Sequence, residues 1–550
     1  MRYKINPLIF SFLFLLYFNV FSQQSMKKTP IAGKKPKLVV GIVVDQMRWD
    51  YLYRFSALYG KGGFNRMINQ GFSCENTFIP YMPTYTAPGH TCVYTGSVPA
   101  LHGIVGNTWY DKTGKRNVYC TEDNTVNTVG STTTLGKMSP RNMWTTSITD
   151  ELRLSNNFKS KVIGIALKDR GAILPAGHSA NAAYWYDDQV GKWITSSFYM
   201  NALPKWVDDF NSKDLPGVYM TKDWNTLLPI AQYDLSTADD QPFEKAINAE
   251  TTVTFPHKTS SITQDKYSAF KYTPAAMTYT FDFAKEAIVR EQLGADAVTD
   301  FLAVSISSTD YIGHNFGPNS IEVEDTYLRL DQDIASFLQY LDAKLGAGSY
   351  LVFLSADHAV AHIPAFLQQH NIPGGTFEDA EFAKEINEAL DKQFGIKTAI
   401  SSLQNYQLYF DDSAVKASGK NIEDIQNAAI QLLKAKPFIV TAAATTNFNA
   451  SNLPDPQNRM FLNGYNPKRS GDVFFTIKPG YFDGGSKGTT HGLWNPYDAH
   501  IPLLFYGWNV KAGKTNRETY MTDIAPTVAA MLQVQMPNGC VGKVITELMK

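Results

Sequence analysis

The chain has 550 residues and a mass of 61.3 kDa, with 44% hydrophobic and 13% aromatic residues. That content excludes wholesale disorder and allows either three or four ordinary domains or one large α/β domain with insertions. Fifty Lys and Arg against 51 Asp and Glu give a net charge of −1, so the basic excess that binds a nucleic-acid backbone is missing.

At the N-terminus, Arg2 and Lys4 precede the apolar run Leu8–Phe21, and Val20 and Ser22 sit at the −3 and −1 positions of a cut before Gln23. This is the pattern of a secretory signal peptide over 1–22. The apolar run falls short of the roughly 20 residues that span a bilayer. Residues 23–36 are polar, with Pro and Gly, and are expected to be a flexible lead-in to a folded domain over 37–550. Four cysteines, Cys74, Cys92, Cys120 and Cys540, are too few for a disulfide scaffold, though an oxidising compartment would permit up to two bridges.

Short apolar runs then recur at Leu38–Val44, Val162–Leu167, Phe301–Ile306, Tyr350–Leu354 and Ile501–Tyr506. Continuous Val/Ile/Leu runs of this length predict strands buried on both faces. Helical patterns lie between them, as at Ile321–Leu345 and Asp379–Phe394, and Thr522 is placed to cap a last helix through Leu532. The alternation predicts a doubly wound, mostly parallel α/β sheet flanked by helices. Residues 176–290, rich in Tyr, Trp, Asn, Ser and Thr, and residues 370–470 break the alternation and are expected to be insertions forming a cap or lid.

Ligands of an open α/β sheet bind beyond the carboxyl ends of its strands. Here those ends carry Asp45, Lys168 with Arg170, Asp310 with His314, and Asp357 with His358. Mixed carboxylate and imidazole donors suit zinc, whereas calcium and magnesium take oxygen shells. Asp310 and His314 are one helical turn apart and share a face. His491 lies in the glycine-rich stretch Gly484–Gly492, flexible enough to approach a metal. A lone Asp after a strand is usually a helix cap, and an Asp/His pair at i,i+4 usually a surface ion pair. Their joint occurrence at strand ends points to a metal centre instead.

In Pro83-Thr84-Tyr85-Thr86-Ala87-Pro88-Gly89-His90 a turn leads into a helix with a hydroxyl at its entry. Thr86 is the expected nucleophile, with Thr84 competing. A hydroxyl at its free pKa is a poor nucleophile, and a zinc ion would convert it to an alkoxide without a histidine base.

In this order, Asp45, Thr86-Ala87-Pro88-Gly89-His90, Lys168-Asp169-Arg170, Asp310-x-x-x-His314, Asp357-His358 and Gly488-x-x-His491-Gly492 resemble the alkaline phosphatase superfamily of two-metal hydrolases. Within it the set is most similar to the bacterial phosphate-irrepressible alkaline phosphatases with a threonine nucleophile. The resemblance implies one zinc held by Asp310, His314 and His491, and a second held by Asp45, Asp357 and His358 with Thr86. It implies that Asn107, Lys168 and Arg170 bind the phosphoryl oxygens, and that Thr86 becomes phosphorylated during the hydrolysis of small phosphate monoesters. The expected protein is exported to the periplasm, monomeric, and free of nucleic acid and membrane spans. A phosphodiesterase or nucleotide pyrophosphatase of the same superfamily is the alternative. The Lys168/Arg170 pair favours the monoester dianion, and the absence of a Cys/Ser-x-Pro-x-Arg segment disfavours a sulfatase. A glycan- or solute-binding protein, prompted by Tyr184-Trp185-Tyr186, is the reading from another class, and it has no reason to hold zinc.

Overall fold

A computed structural model describes residues 35–248, 250–447 and 452–549. The expected signal peptide and all but the end of the lead-in lie outside these residues. Within residues 36–550, which cluster as a single unit, the apolar run after the lead-in forms the strand Leu38–Val44, every residue of it buried. Its neighbours are Asp300–Ile306 and Tyr350–Ser355, both parallel to it. Val162–Ala166 adds to the first of these in parallel, and Ala182–Asp187 adds to Val162–Ala166 in the same sense.

Five parallel strands thus form the middle of a ten-stranded sheet. Antiparallel Leu503–Gly507 and Phe72–Cys74, with Gly513–Thr515, complete one side; Lys192–Ser196 and Thr128–Val129 complete the other. The sheet is therefore parallel where the strands are apolar on both faces and mixed towards its margins, as in many large α/β sheets. Helices Thr86–Thr95, Asp169–Ala176 and Ile524–Leu532 pack together, and Ala275–Arg290 packs on Ile321–Leu345 and on Asp300–Ile306. None of the described helices is long and apolar enough to cross a membrane.

Four expectations are corrected. The run Ile501–Tyr506 is two strands: His500–Ile501 pairs with Thr77–Phe78 in a separate small sheet, and Leu503–Gly507 enters the main one. Pro502, which has no N–H to give a ladder, separates them. The segment 176–290 is not wholly an insertion, because Ala182–Asp187 and Lys192–Ser196 belong to the main sheet. Tyr184, Trp185 and Tyr186 are 1%, 2% and 5% exposed, so they fill the core rather than offer a binding face. Thr522 does not cap the last helix; it lies in a 3₁₀ turn whose Asp523 side chain accepts from the backbone N–H groups of Tyr520 and Lys543.

The second insertion is a four-stranded antiparallel sheet, Ile400–Gln404, Gln407–Phe410, Val473–Ile477 and Ile439–Ala444 in spatial order, so it runs past residue 470. Helices Asp379–Phe394 and Ile422–Lys434 pack on it. Its first hairpin turns at Asn405 and Tyr406, both at positive φ (57° and 60°), the backbone of a two-residue primed turn. From that tip Asn405 Nδ2 donates to the Thr108 carbonyl at 2.8 Å. The cap is thereby fastened to the loop that carries Asn107.

Candidate active site

The parallel strands deliver their terminal residues to one edge, and there the chemistry assembles. Asp45 follows the first strand and is wholly buried. Gln46 after it adopts φ 67°, a left-handed conformation that a non-glycine residue takes only under constraint from its surroundings. The constraint is visible: Gln46 N–H donates to Asp357 Oδ1 (3.2 Å) and its Nε2 to Asp310 Oδ1 (2.8 Å). One residue thus ties two carboxylates from other strands to the first. Gly313 makes room for it, since a Cβ there would lie 1.9 Å from Gln46 Oε1.

Thr86 is the first residue of helix Thr86–Thr95, entered from extended Tyr85, and is 2% exposed. Its hydroxyl therefore stands at a helix N-terminus, where free backbone N–H groups and the helix dipole favour negative charge. The hydroxyl of the competing Thr84 is engaged elsewhere, donating to the Leu493 carbonyl at 3.1 Å. The helix approaches Asp357 so closely that a Cβ on Gly89 would sit 2.3 Å from the Asp357 carbonyl oxygen. No side chain fits that position without moving Asp357.

Three buried oxygens converge on one imidazole nitrogen. His358 Nε2 lies 3.3 Å from Thr86 Oγ1, 3.4 Å from Asp45 Oδ1 and 3.5 Å from Asp357 Oδ2. Neither Asp45 Oδ1 nor Asp357 Oδ2 has a hydrogen-bond partner, a costly state for a buried carboxylate oxygen unless a cation is at hand. On the other side, Asp310 Oδ1 lies 3.1 Å from His314 Nε2 and 3.9 Å from His491 Nε2. Among the described residues two triads have donor atoms mutually within 4.8 Å: Asp45/Asp357/His358, and Asp310/His358/His491. The first is the set expected from sequence. The second differs in that His358, stacked on His491 with ring centroids 3.4 Å apart, joins both triads. His314 stands beside Asp310 and outside the compact triad.

The three imidazoles are oriented alike. His314 Nδ1 contacts the Thr489 carbonyl (2.7 Å), His358 Nδ1 that of Ala359 (3.0 Å), and His491 Nδ1 that of Thr84 (2.6 Å). A carbonyl can only accept, so Nδ1 carries a proton in each ring and Nε2 is the atom turned to the site, the orientation of metal-ligating histidines; for His314 the adjacent Asp310 raises the pKa despite burial. Burial pushes His491 well below the ordinary imidazole value, and burial also lowers His358. Both are therefore neutral donors. His90 belongs to the supporting layer: its Nδ1 reaches the Thr86 carbonyl (2.9 Å) and lies 3.3 Å from Asp357 Oδ2, while Nε2 meets Ser305 Oγ (2.8 Å).

Asn107 accepts from Ala87 N–H through Oδ1 (2.9 Å), which fixes it at the entry of the helix that Thr86 begins and leaves its NH2 as a donor. Arg170 donates to the Tyr119 hydroxyl (3.0 Å), and its buried Nε has no partner among the described residues. Lys168 sits deeper than its expected place among phosphoryl oxygens. Its ammonium bridges Asp45 Oδ2 (2.7 Å) and Asp310 Oδ2 (2.5 Å), because a buried cation settles against the nearest carboxylates. Burial would lower its pKa, but the two carboxylates outweigh burial and keep it charged. Gln46 and the carbonyls of Thr84 and Thr489 were not singled out from sequence. Only Gln46, next to a strand-terminal Asp, carried any signal. All four cysteines are free thiols.

The arrangement offers a hydroxyl at a helix terminus, two nitrogen- and oxygen-donor triads that share an imidazole, and a cluster of three donors to an anion. Comparison with known proteins agrees with it. Residues 39–499 match the family described as type I phosphodiesterase / nucleotide pyrophosphatase. The alkaline phosphatase PhoV of Synechococcus elongatus is 49% identical over 552 residues, covering 100% of each chain. The alkaline phosphatase PafA of Elizabethkingia meningoseptica is 51% identical over 522 residues, 94% of this chain and 95% of that protein. A crystal structure of wild-type alkaline phosphatase PafA superposes with a TM-score of 0.92 at 50% identity, covering 94% of this chain and 99% of that one.

Proposed function

This chain belongs to the type I phosphodiesterase / nucleotide pyrophosphatase family of the alkaline phosphatase superfamily, and from that membership we propose how its site works. It is an alkaline phosphatase that hydrolyses phosphate monoesters. The finer reading is that it is an exported monomer with two zinc ions and a covalent phosphothreonine intermediate at Thr86. The single observation that carries it is the convergence of Thr86 Oγ1 and two unpartnered carboxylate oxygens on His358 Nε2.

The residues fit zinc on their own chemistry. Lone-pair Nε2 atoms and buried carboxylate oxygens are its preferred donors, and the unpartnered oxygens would be satisfied by it. Asp45, Asp357 and His358 with Thr86 would hold one ion, and Asp310, His314 and His491 the other. When bound, the two ions would act as Lewis acids that lower the pKa of the nucleophilic hydroxyl and take up charge on attacking and leaving oxygens.

The chain's own groups supply the rest. Thr86 Oγ gives up its hydroxyl proton to solvent and attacks phosphorus in line: the O–P bond forms, the bond to the leaving oxygen breaks, and the leaving oxygen takes the electron pair and a proton from solvent to depart as the alcohol. Water then attacks the phosphothreonine from the side opposite Thr86, releasing inorganic phosphate and restoring the hydroxyl. Asn107 donates to a phosphoryl oxygen. Arg170 and Lys168 supply two positive charges against the developing negative charge, and the Thr86–Thr95 helix terminus adds its dipole. Export is supported by the Arg2/Lys4 lead and the Leu8–Phe21 apolar run.

Metal analysis of the purified protein should find two zinc ions per chain. Chelation should remove monoesterase activity and added zinc should restore it. Two zinc ions without restored activity, or full activity in chelated metal-free protein, would each count against this reading.

A further inference from the structure

One charged side chain beside the site is left unused by this mechanism. Tyr311 projects from the helix Ser308–Phe316, between Asp310 and His314, and its ring has a lysine on each of two approaches. Lys168 Nζ is 5.0 Å from the ring centroid and Lys271 Nζ is 4.9 Å from it. Lys271 follows the short helix Lys266–Phe270 and pairs with Asp188, which follows the strand Ala182–Asp187. That strand lies parallel to the one that delivers Lys168 and Arg170, so its end reaches the same edge of the sheet.

Lys271 is placed for a substrate rather than for packing. Its side chain is 14% exposed, enough to be reached and enough desolvated for charge to count. Burial lowers its pKa, but Tyr311 and Asp188 outweigh burial and hold it charged. The Tyr311 hydroxyl has no hydrogen-bond partner among the described residues, and Tyr311 is half-buried. Lys168 and Lys271 thus share the Tyr311 ring, and Tyr311 stands in the chain between Asp310 and His314, so the second ammonium lies next to the site's own cation.

We propose that Lys271, with the Tyr311 hydroxyl, forms a second anion subsite that selects monoesters whose leaving group carries its own negative charge, such as a carboxylate or a further phosphate. Asp188 holds the ammonium in place and competes with that anion for it. The proposal rests on the monoesterase reading above and adds a substrate class to it.

The test compares kcat/KM for phenyl phosphate and 4-carboxyphenyl phosphate in the zinc-loaded enzyme and its variants. Comparing each ester with itself across variants cancels the difference in leaving-group reactivity. Lys271→Gln should lower the carboxyphenyl rate about tenfold and the phenyl rate by less than about twofold, the loss of one charge-assisted contact. Asp188→Asn, which keeps the lysine and removes its competitor, should raise the carboxyphenyl-to-phenyl ratio about threefold, by the same charge-assisted contact. Added salt should shrink the wild-type advantage of the charged ester. Equal losses on both esters in Lys271→Gln, or a ratio unmoved in Asp188→Asn, overturn the proposal. A wild-type enzyme that cleaves neither ester would instead fail the monoesterase reading, a separate result.

Discussion

Replacing Thr86 by alanine is expected to lower monoester kcat/KM by at least about 10⁴-fold, because the proposed nucleophile would be gone and water would have to replace a tethered hydroxyl. The fold should survive. The Thr86 hydroxyl makes one contact, 3.3 Å from His358 Nε2, and caps no backbone group of the helix it begins. Thr84 provides the internal control. Its hydroxyl donates to the Leu493 carbonyl, so Thr84→Val should lose some stability and keep activity within about tenfold, the effect of one displaced hydrogen bond. Steady-state kinetics with thermal unfolding of both variants checks this. Loss of activity in Thr84→Val to the level of Thr86→Ala, with both folded and metal-loaded, would contradict the assignment of the nucleophile.

The second large effect concerns the cations. A monoester dianion brings one more negative charge than a diester, and in the proposed mechanism the two positive groups, Arg170 and the deeper Lys168, reward that extra charge. Substituting both Lys168 and Arg170 by alanine should reduce monoester kcat/KM by on the order of 10³-fold or more while diester hydrolysis falls by less than about tenfold. The structure sharpens how the two should divide. Arg170 keeps an unpartnered Nε and hydrogen bonds only to Tyr119, so its loss should read almost purely as lost monoester preference. Lys168 also neutralises Asp45 and Asp310, so Lys168→Ala should disturb metal binding as well. Zinc content measured beside the two rates separates these effects. Equal losses on monoester and diester with zinc retained would contradict the role given to the pair.

What could be read from the sequence follows from where the physics is local. Leu38–Val44 is an uninterrupted apolar run, and its strand has the predicted bounds because every residue in it is buried. The helices Ile321–Leu345 and Asp379–Phe394 likewise stand where their apolar spacing puts them. The strand-end rule then brings Asp45, Lys168, Asp310 and Asp357 to one edge without reference to side-chain contacts.

The rest depends on partners distant in the chain. Ala182–Asp187 is an aromatic-rich strand in the main sheet, but its rings are buried by Trp206, Phe270 and Phe283, which no local pattern reveals. The split at Pro502 is a sheet-assignment matter, decided by which neighbour accepts each half. Lys168 reads as a phosphate ligand from its motif alone. Its place against two carboxylates emerges only when the ends of three strands are brought together. Gln46, at positive φ between Asp310 and Asp357, is likewise invisible until those strands are side by side.

The account stands on phosphorus passing through a covalent bond to the Thr86 oxygen, so that every turnover comprises two in-line displacements. Each displacement inverts phosphorus, and two restore it. Stereochemical analysis of phosphoryl transfer from an isotopically chiral phosphate monoester to an alcohol acceptor should therefore show net retention. Net inversion, the signature of direct attack by the acceptor, would contradict it.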